Sequence, residues 1–154
     1  MTETRDQNDQ LAIALFSEMF MADQLARSRL ARAMPKGMEL SHFSVLNQLA
    51  RPGTEKTPAD LARIFHVTRG AMTNTIGKLE WAGYVHVRPD WDDARRKFVS
   101  ISASGLKARE AALAAIAPVL QQAVEKMDPE MVKTSVAALR ELRRQFEITD
   151  EPKS

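Results

Sequence analysis

Apolar residues recur every three or four positions at the start of the chain. Over residues 9–33 the repeat is marked by Leu11, Leu15, Met19 and Leu25. This period matches the turn of an α-helix, so it predicts one long helix. The helix is expected to end near the segment "MPKGM", where proline and glycine interrupt the repeat.

A similar pattern beyond Gly105 predicts two more long helices. The first is alanine-rich, and its expected inward positions are Leu106, Leu113, Ile116, Leu120, Val124 and Met127. Asp128 is expected to cap the last helix, with Pro129 in its first position. That helix carries an apolar stripe formed by Val132, Val136, Leu139, Leu142 and Phe146. Residues 149–154 are polar and predict a flexible tail.

Shorter patterns in the middle of the chain predict three further helices. Ser41 is expected to cap the first, which reaches about residue 50 with Phe43, Leu46 and Leu49 facing inward. The segment "TPADLARIF" predicts the second, because a threonine cap, a proline in the first position and an aspartate in the first turn all favour a helix start.

The third of these helices is predicted from Arg69 to about Ala82. Thr68 is its expected cap, and Gly83 suits the C′ position beyond its end. The runs "YVHVRP" and "RKFVSIS" follow, separated by "DWDDA". Their β-branched and aromatic residues predict a two-stranded hairpin with a charged tip.

Two short helices joined by a tight turn and followed by a hairpin are typical of a winged helix-turn-helix. The predicted fold is therefore mainly α with a small β-hairpin. Residues 37–102 form the predicted winged helix, and the long helices of residues 1–36 and 103–148 flank it.

Composition narrows the class of protein. The chain has 154 residues and no cysteine, which excludes disulfides, thiolate metal sites and a cysteine redox switch. The N-terminal segment "MTETRDQNDQ" is polar, and no apolar run is long enough to cross a bilayer. The sequence thus predicts a cytoplasmic protein without a membrane partner.

Basic residues are concentrated in the predicted winged helix and just beyond it. Between Leu61 and Glu110 there are nine basic and five acidic residues, an excess of four against +2 for the whole chain. This local excess indicates an anionic partner in the middle of the chain.

The helix after Thr68 has an outer face suited to a DNA groove. Steps of 100° per residue place Met72, Ile76 and Leu79 inward. The candidate DNA-binding residues on and before the helix are Thr68, Arg69, Gly70, Thr73, Asn74 and Lys78. Asparagine pairs with adenine and arginine with guanine in the major groove, whereas lysine and threonine suit phosphates. The alternative is an amphipathic helix whose polar face is only solvated.

The hairpin adds three basic candidates, Arg95, Arg96 and Lys97. We expect Asp93 to orient Arg95, whose side chain would enter a narrow minor groove, where the negative potential is greatest. The alternative is a solvated loop with weak surface ion pairs.

The stretch "PADLARIFHVTRGAMTNTIGKLEWAGYVHVRPDWDDARRKFVSISASG" resembles the central region of the MarR (multiple antibiotic resistance regulator) family of bacterial transcription regulators. The wing in that family typically has an aspartate, an arginine two positions on, and a strand ending in Leu-Thr before a glycine. This chain has Asp93, Arg95, "VSIS" and Gly105. The upstream "MELSHFSVLNQLA" is similar to the family's second helix. Flanking helices of the expected lengths extend the resemblance over nearly the whole chain.

Three positions depart from the family pattern. Ala94 stands where a basic residue is common, Ile101-Ser102 replaces Leu-Thr, and Trp91 at the wing tip is unusual. These differences concern the contacts of the wing and leave the expected fold unchanged.

The resemblance implies a homodimer that acts as a repressor and binds double-stranded DNA at a pseudo-palindrome. The apolar stripes support a dimer independently, since a lone small domain would struggle to cover them. The expected interface residues are Leu11, Leu15, Val132, Val136, Leu139, Leu142 and Phe146. A monomer that buries both stripes in its own core is the alternative.

The resemblance also implies release of DNA by a small phenolic or anionic effector. The candidate ligand-binding residues are His42, Phe16, Phe20 and Phe43. Alternatively, the histidine is a surface or capping residue and the phenylalanines belong to the core. Three scattered histidines without cysteine predict no metal site, and no cofactor is expected.

Three other classes compete with a specific DNA-binding regulator. An enzyme would need a nucleophile with a base, a metal cluster or a phosphate-binding loop, and none of these motifs is visible. A winged helix can serve protein interaction alone, or it can bind DNA without sequence preference. The basic and amide side chains at Arg69, Asn74 and Lys78 favour the regulator.

Overall fold

The computed structural model describes residues 2–149, with side chains from Arg5 to Ile148. The elements are, in chain order, α1 (Thr2–Ala33), α2 (Leu40–Leu49), α3 (Pro58–Ile64), α4 (Arg69–Trp81), β1 (Val85–Pro89), β2 (Lys97–Ile101), α5 (Ala103–Val124) and α6 (Pro129–Thr149). The predicted mainly α fold with a β-hairpin is confirmed. Of the predicted tail, Thr149 ends α6 and residues 150–154 lie outside the described residues.

The contacts within the chain define two compact units. The first extends to Ala117 and holds α1 to α4, the hairpin and the first part of α5. The second begins at Pro118 and holds the rest of α5 together with α6.

The hydrophobic core lies mainly in the winged helix. Its most deeply buried side chains are Val45, Leu46, Leu49, Leu61, Leu79 and Val99. The three residues predicted to face inward from α4, Met72, Ile76 and Leu79, are all buried, so the predicted orientation of this helix is confirmed. Burial of this apolar surface fixes which face of α4 remains in solvent.

Local capping signals define α3 and α4 as predicted. The Thr57 Oγ1 atom accepts a hydrogen bond from the Asp60 amide at 3.1 Å, and Thr68 Oγ1 accepts one from the Ala71 amide at 3.1 Å. Each bond satisfies an amide that the first turn of a helix leaves open. At the other end of α4, Gly83 adopts φ +78°, a conformation that glycine reaches without a steric penalty.

The cap of α3 is sensitive to acid. The Thr57 hydroxyl donates to the Asp60 carboxylate and lowers the pKa of Asp60 below its ordinary value. Because the folded-state pKa is lowered, this contribution to stability is present above the ordinary pKa of aspartate and is lost as the pH falls through the lowered value.

The predicted start of α2 was wrong. The N-cap is Glu39 rather than Ser41, and its amide donates to His42 Nδ1 at 3.3 Å. The Ser41 hydroxyl instead lies 3.5 Å from a carboxylate oxygen of Glu39. Histidine in the third helical position therefore takes the reciprocal role that glutamate usually has in a capping box.

The predicted start of α5 was also wrong, because Gly105 lies inside the helix. The helix begins at Ala103, and the Ser102 Oγ atom accepts from the Gly105 amide at 3.0 Å. The Ser102 hydroxyl also donates to the Gly83 carbonyl at 2.6 Å. Serine thus caps α5 and ties its start to the end of α4.

The inward face predicted for α5 is only partly correct. Ile116 is buried and Leu106 is half-buried, as expected. Leu113, Leu120, Val124 and Met127 are exposed in the single chain. The buried residue that was missed is Ala112, whose small side chain packs against the core. The single chain therefore leaves these large apolar side chains exposed.

The hairpin strands pair antiparallel, with Val87 opposite Val99. Lys56 forms an isolated β-bridge with Val99: its amide donates to the Val99 carbonyl at 3.1 Å, and its carbonyl accepts from the Val99 amide at 2.8 Å. This bridge joins the loop between α2 and α3 to the wing. Within the residues described, no helix combines the length and the apolar character that a membrane crossing requires.

Candidate nucleic-acid interface

The outer face of α4 is a polar surface held in place by the core on its other side. The six predicted DNA-binding residues on and before this helix, Thr68, Arg69, Gly70, Thr73, Asn74 and Lys78, are all exposed. A β-carbon added at Gly70 or at Gly77 would meet no atom within 4 Å. The small residues leave room for a partner to approach the helix backbone.

Trp81 belongs to the same face and was missed by the sequence analysis. It lies four residues after Gly77 and three after Lys78, and the two spacings place these residues on one side of the helix. Its side chain is 93% exposed. A shallow depression of about 480 Å³ is lined by Thr73, Asn74, Gly77, Lys78 and Trp81. The helical spacing that places Trp81 on this face was visible in the sequence.

Lys78 has an acidic neighbour in the free protein. Its Nζ atom lies 3.7 Å from Glu39 Oε1, and both side chains are more than half exposed. A surface pair of this kind contributes little to stability. The ammonium group therefore remains able to exchange this carboxylate for a phosphate.

At the wing, Asp93 contacts Arg95 as predicted. The Asp93 Oδ1 atom accepts hydrogen bonds from the Arg95 amide at 3.0 Å and from Arg95 Nε at 3.2 Å. These bonds, the backbone one first, lower the pKa of Asp93 because they favour its charged carboxylate. The Arg95 side chain is nevertheless 91% exposed. The aspartate thus directs the guanidinium while leaving most of it available to a partner.

Arg96 contacts neighbouring residues of the hairpin, while its side chain stays 54% exposed. Its Nε atom lies 3.8 Å from Asp90 Oδ2, and its guanidinium carbon lies 5.7 Å from the centre of the Phe98 ring. Arg88 stacks on the same ring at 4.7 Å. Lys97 at the start of β2 is exposed. Of the three basic candidates on the wing, Arg95 has the most exposed oriented side chain.

Arg88 and Glu55 form a second feature that the sequence analysis missed. Arg88 donates to both carboxylate oxygens of Glu55, at 2.9 and 2.6 Å. This two-bond geometry lowers the pKa of Glu55 and raises that of Arg88. The pair joins β1 to the loop after α2 and steadies the base of the wing.

The four predicted effector residues have different surroundings. His42 is buried and accepts the Glu39 amide, and Phe43 packs against the core of the winged helix. Phe16 and Phe20 lie one turn apart on α1, with ring centres 6.0 Å apart and Phe20 largely exposed. The capping role that was the alternative for His42 is thus observed.

Among the residues described, no group of three histidine, aspartate or glutamate side chains has the arrangement of a metal site. Together, the buried side of α4, its open outer face and the oriented arginine on a paired hairpin define the class of protein. It is a winged helix-turn-helix protein.

Comparison with known proteins finds similarity to one family. Residues 36–96, which contain the helix-turn-helix and most of the wing, match the model of the MarR family. The Transcriptional activatory protein BadR of Rhodopseudomonas palustris is 32% identical over 103 residues, which are 65% of this chain and 59% of BadR. The chain thus spans less than two thirds of that curated relative.

Solved structures share the fold. A MarR family regulator from Rhodococcus has a TM-score of 0.77 at 16% identity, over 86% of this chain and 94% of that one. Sco3205 of Streptomyces coelicolor, solved in complex with DNA, has a TM-score of 0.76 at 21% identity, over 86% of this chain and 89% of Sco3205. A mutant MarR of E. coli complexed with operator DNA has a TM-score of 0.75 at 22% identity, over 85% of this chain and 94% of that one. The predicted resemblance to the MarR family is confirmed by these matches.

Proposed function

We propose that this protein is a cytoplasmic transcription regulator that binds double-stranded DNA as a homodimer. The observation that carries the proposal is the pairing of an open, polar outer face on α4 with Arg95, which Asp93 orients at the wing. In this account α4 lies in the major groove and Arg95 enters the adjacent minor groove. The family and the fold are those of a regulator and not of an enzyme.

The exposed apolar residues on the long helices support a dimer. Leu11 and Leu15 on α1, and Val136, Leu139 and Phe146 on α6, are all exposed in the single chain. Apolar surface of this extent is typical of a protein–protein interface. We assign residues 1–36 and 103–148 to dimerisation and residues 37–102 to DNA binding. A two-fold dimer requires a pseudo-palindromic site with half-sites about one helical turn, roughly 10 bp, apart.

Leu139→Glu is expected to convert the dimer to a monomer, because it places a charge within the apolar stripe of α6. Ala137→Glu is the matched control, since it introduces the same residue on the opposite side of that helix. Light scattering coupled to size exclusion measures the mass. A dimer that survives Leu139→Glu unchanged would remove α6 from the interface.

Asn74→Ala is expected to relax the preference at one base pair of each half-site by about 1–3 kcal/mol, because the two-bond contact of an amide with adenine is lost. Competition among operators that differ at single positions measures the preference. Lys78→Ala is the control and should weaken binding to all sequences equally. An unchanged preference after Asn74→Ala would show that this side chain reads no base.

Trp81 is expected to contact the sugar-phosphate backbone, because it continues the outer face of α4 beyond the residues that reach the bases. Of the two tryptophans in the chain, Trp91→Phe leaves only Trp81. Its fluorescence should change when DNA is added. The Trp81→Phe variant reports on Trp91 separately. DNA binding without a change in the Trp81 signal would contradict this contact.

A repressor with a small phenolic or anionic effector remains the finer form of the proposal. The name of BadR describes an activatory protein. An operator within a promoter gives repression, whereas one upstream of the promoter permits activation. Mapping the site relative to the transcription start decides between them. A non-specific DNA binder and a protein-interaction module are the alternatives. No acidic residue lines the depression on α4, which favours DNA over a protein partner.

A further inference from the structure

A polar cavity lies away from the outer face of α4. It has a volume of about 620 Å³ and lies between the C-terminal end of α2, the loop that follows it and α5. Three of its lining residues are basic, namely Arg51, Lys56 and Arg109, and none is acidic. The family resemblance assigned no role to these residues.

The three cations have no ion-pair partner among the residues described. The nearby carboxylates are otherwise engaged. Glu55 binds Arg88, and Asp60 accepts from Thr57 and Arg63, with Lys56 adding only a weaker charge interaction. The cavity therefore holds an excess of positive charge.

Arg109 is held in position by an uncharged neighbour. Its Nε and Nη2 atoms donate to Asn47 Oδ1 at 3.0 and 2.9 Å. A guanidinium carries five N–H groups, so most of its donors remain available to a second acceptor. An arginine fixed in this way loses little conformational entropy when it binds an anion.

The C-terminus of α2 offers a simpler explanation for one cation. The end of a helix carries roughly half a negative charge, which a single nearby basic residue offsets. Three cations exceed that requirement by more than two charges. This excess makes the cavity complementary to an anion of at least two charges.

We propose that this cavity binds a small oxyanion carrying two or more negative charges, with carboxylate or phosphate groups. Arg109 would bind one oxygen-bearing group through its free N–H donors, and Arg51 and Lys56 would neutralise the remaining charge. The site lies within the winged helix and the start of α5, and it uses none of His42, Phe16, Phe20 and Phe43.

The location of the site connects it to the DNA-binding elements. The backbone of Lys56 pairs with Val99 in β2, and Arg109 belongs to α5. An anion that draws these two residues together acts on the wing and on the helix that leads out of the winged helix. This coupling rests on the proposed function, whereas the binding of the anion does not.

Isothermal titration of the full chain tests the site, with citrate and inorganic phosphate as probes, acetate as the singly charged control and ionic strength held constant with sodium chloride. We expect saturable binding of citrate, with weaker binding of phosphate and none of acetate. Arg51→Gln and Lys56→Gln should each weaken citrate binding about tenfold. Arg109→Lys keeps the charge but loses the planar set of guanidinium N–H donors, so it should weaken citrate binding as well.

Arg140→Gln on α6 is the matched control, since it removes the same charge elsewhere, and it should leave citrate binding unchanged. Melting temperatures verify that each variant is folded. Absence of saturable binding to both probes, or equal weakening by Arg140→Gln, would overturn the proposal. The protein could bind neither probe and yet lose affinity for DNA in Arg51→Gln and Lys56→Gln. That result would assign these cations to DNA phosphates. Citrate binding by a protein that binds no DNA would uphold the site and reject only the proposed regulator.

Discussion

Gly105→Ala is expected to lower the free energy of unfolding by about 3 kcal/mol, because the added methyl group has no space. Its carbon would lie 2.0 Å from the Tyr84 carbonyl oxygen and 2.9 Å from Ile101 Cγ1. The Tyr84 carbonyl also accepts the Ser102 amide at 2.9 Å, so relieving the contact would disturb the cap of α5. Urea denaturation followed by circular dichroism measures the change.

Gly77→Ala is the matched control for that experiment. The added carbon would meet no atom within 4 Å in the free protein, and alanine favours a helix interior over glycine. We expect Gly77→Ala to raise the free energy of unfolding by about 0.5–1 kcal/mol. Equal stability of wild type and Gly105→Ala would show that the start of α5 does not pack as described.

Arg95→Ala is expected to weaken operator binding by about 1.5–3 kcal/mol at each wing, because a charged hydrogen-bond donor leaves the minor groove. The effect should shrink as salt increases, since the variant neutralises less phosphate charge. The slope of log K against log salt should fall by about 1 for each protomer. Fluorescence anisotropy of labelled operator DNA across a salt series measures both quantities.

Arg140→Ala, which removes an arginine from α6, controls for the change in net charge and should leave the slope unaltered. Arg96→Ala should have a smaller effect than Arg95→Ala, because Arg96 is held near Asp90 and Phe98. If Arg95→Ala bound the operator as tightly as wild type at every salt concentration, the wing would have no part in recognition.

Local signals were sufficient to predict most element boundaries. Thr57, Thr68 and Gly83 each act through atoms within a few residues, so their roles could be inferred from the sequence. The cap of α2 was missed because it depends on a histidine that accepts a backbone amide. The role of Gly105 was missed because the atom that excludes a side chain there belongs to Tyr84, which is distant in sequence.

The candidate site shows the same division between local and tertiary information. The contact of Asp93 with Arg95 spans two residues and was predicted. The stacking of Arg88 and Arg96 on Phe98 depends on the pairing of the strands, and no local pattern indicates it. The exposed residues of α5 were expected inside because periodicity identifies an apolar face without indicating whether the same chain covers it.

Binding of the purified protein to DNA from upstream of its own coding sequence, compared with random DNA over a salt series, tests the central claim most directly. The account predicts a preference for one pseudo-palindromic fragment, with affinity that falls steeply as salt increases. Equal and weak binding to every fragment would contradict a sequence-specific regulator and would remove Asn74 as a reader of bases.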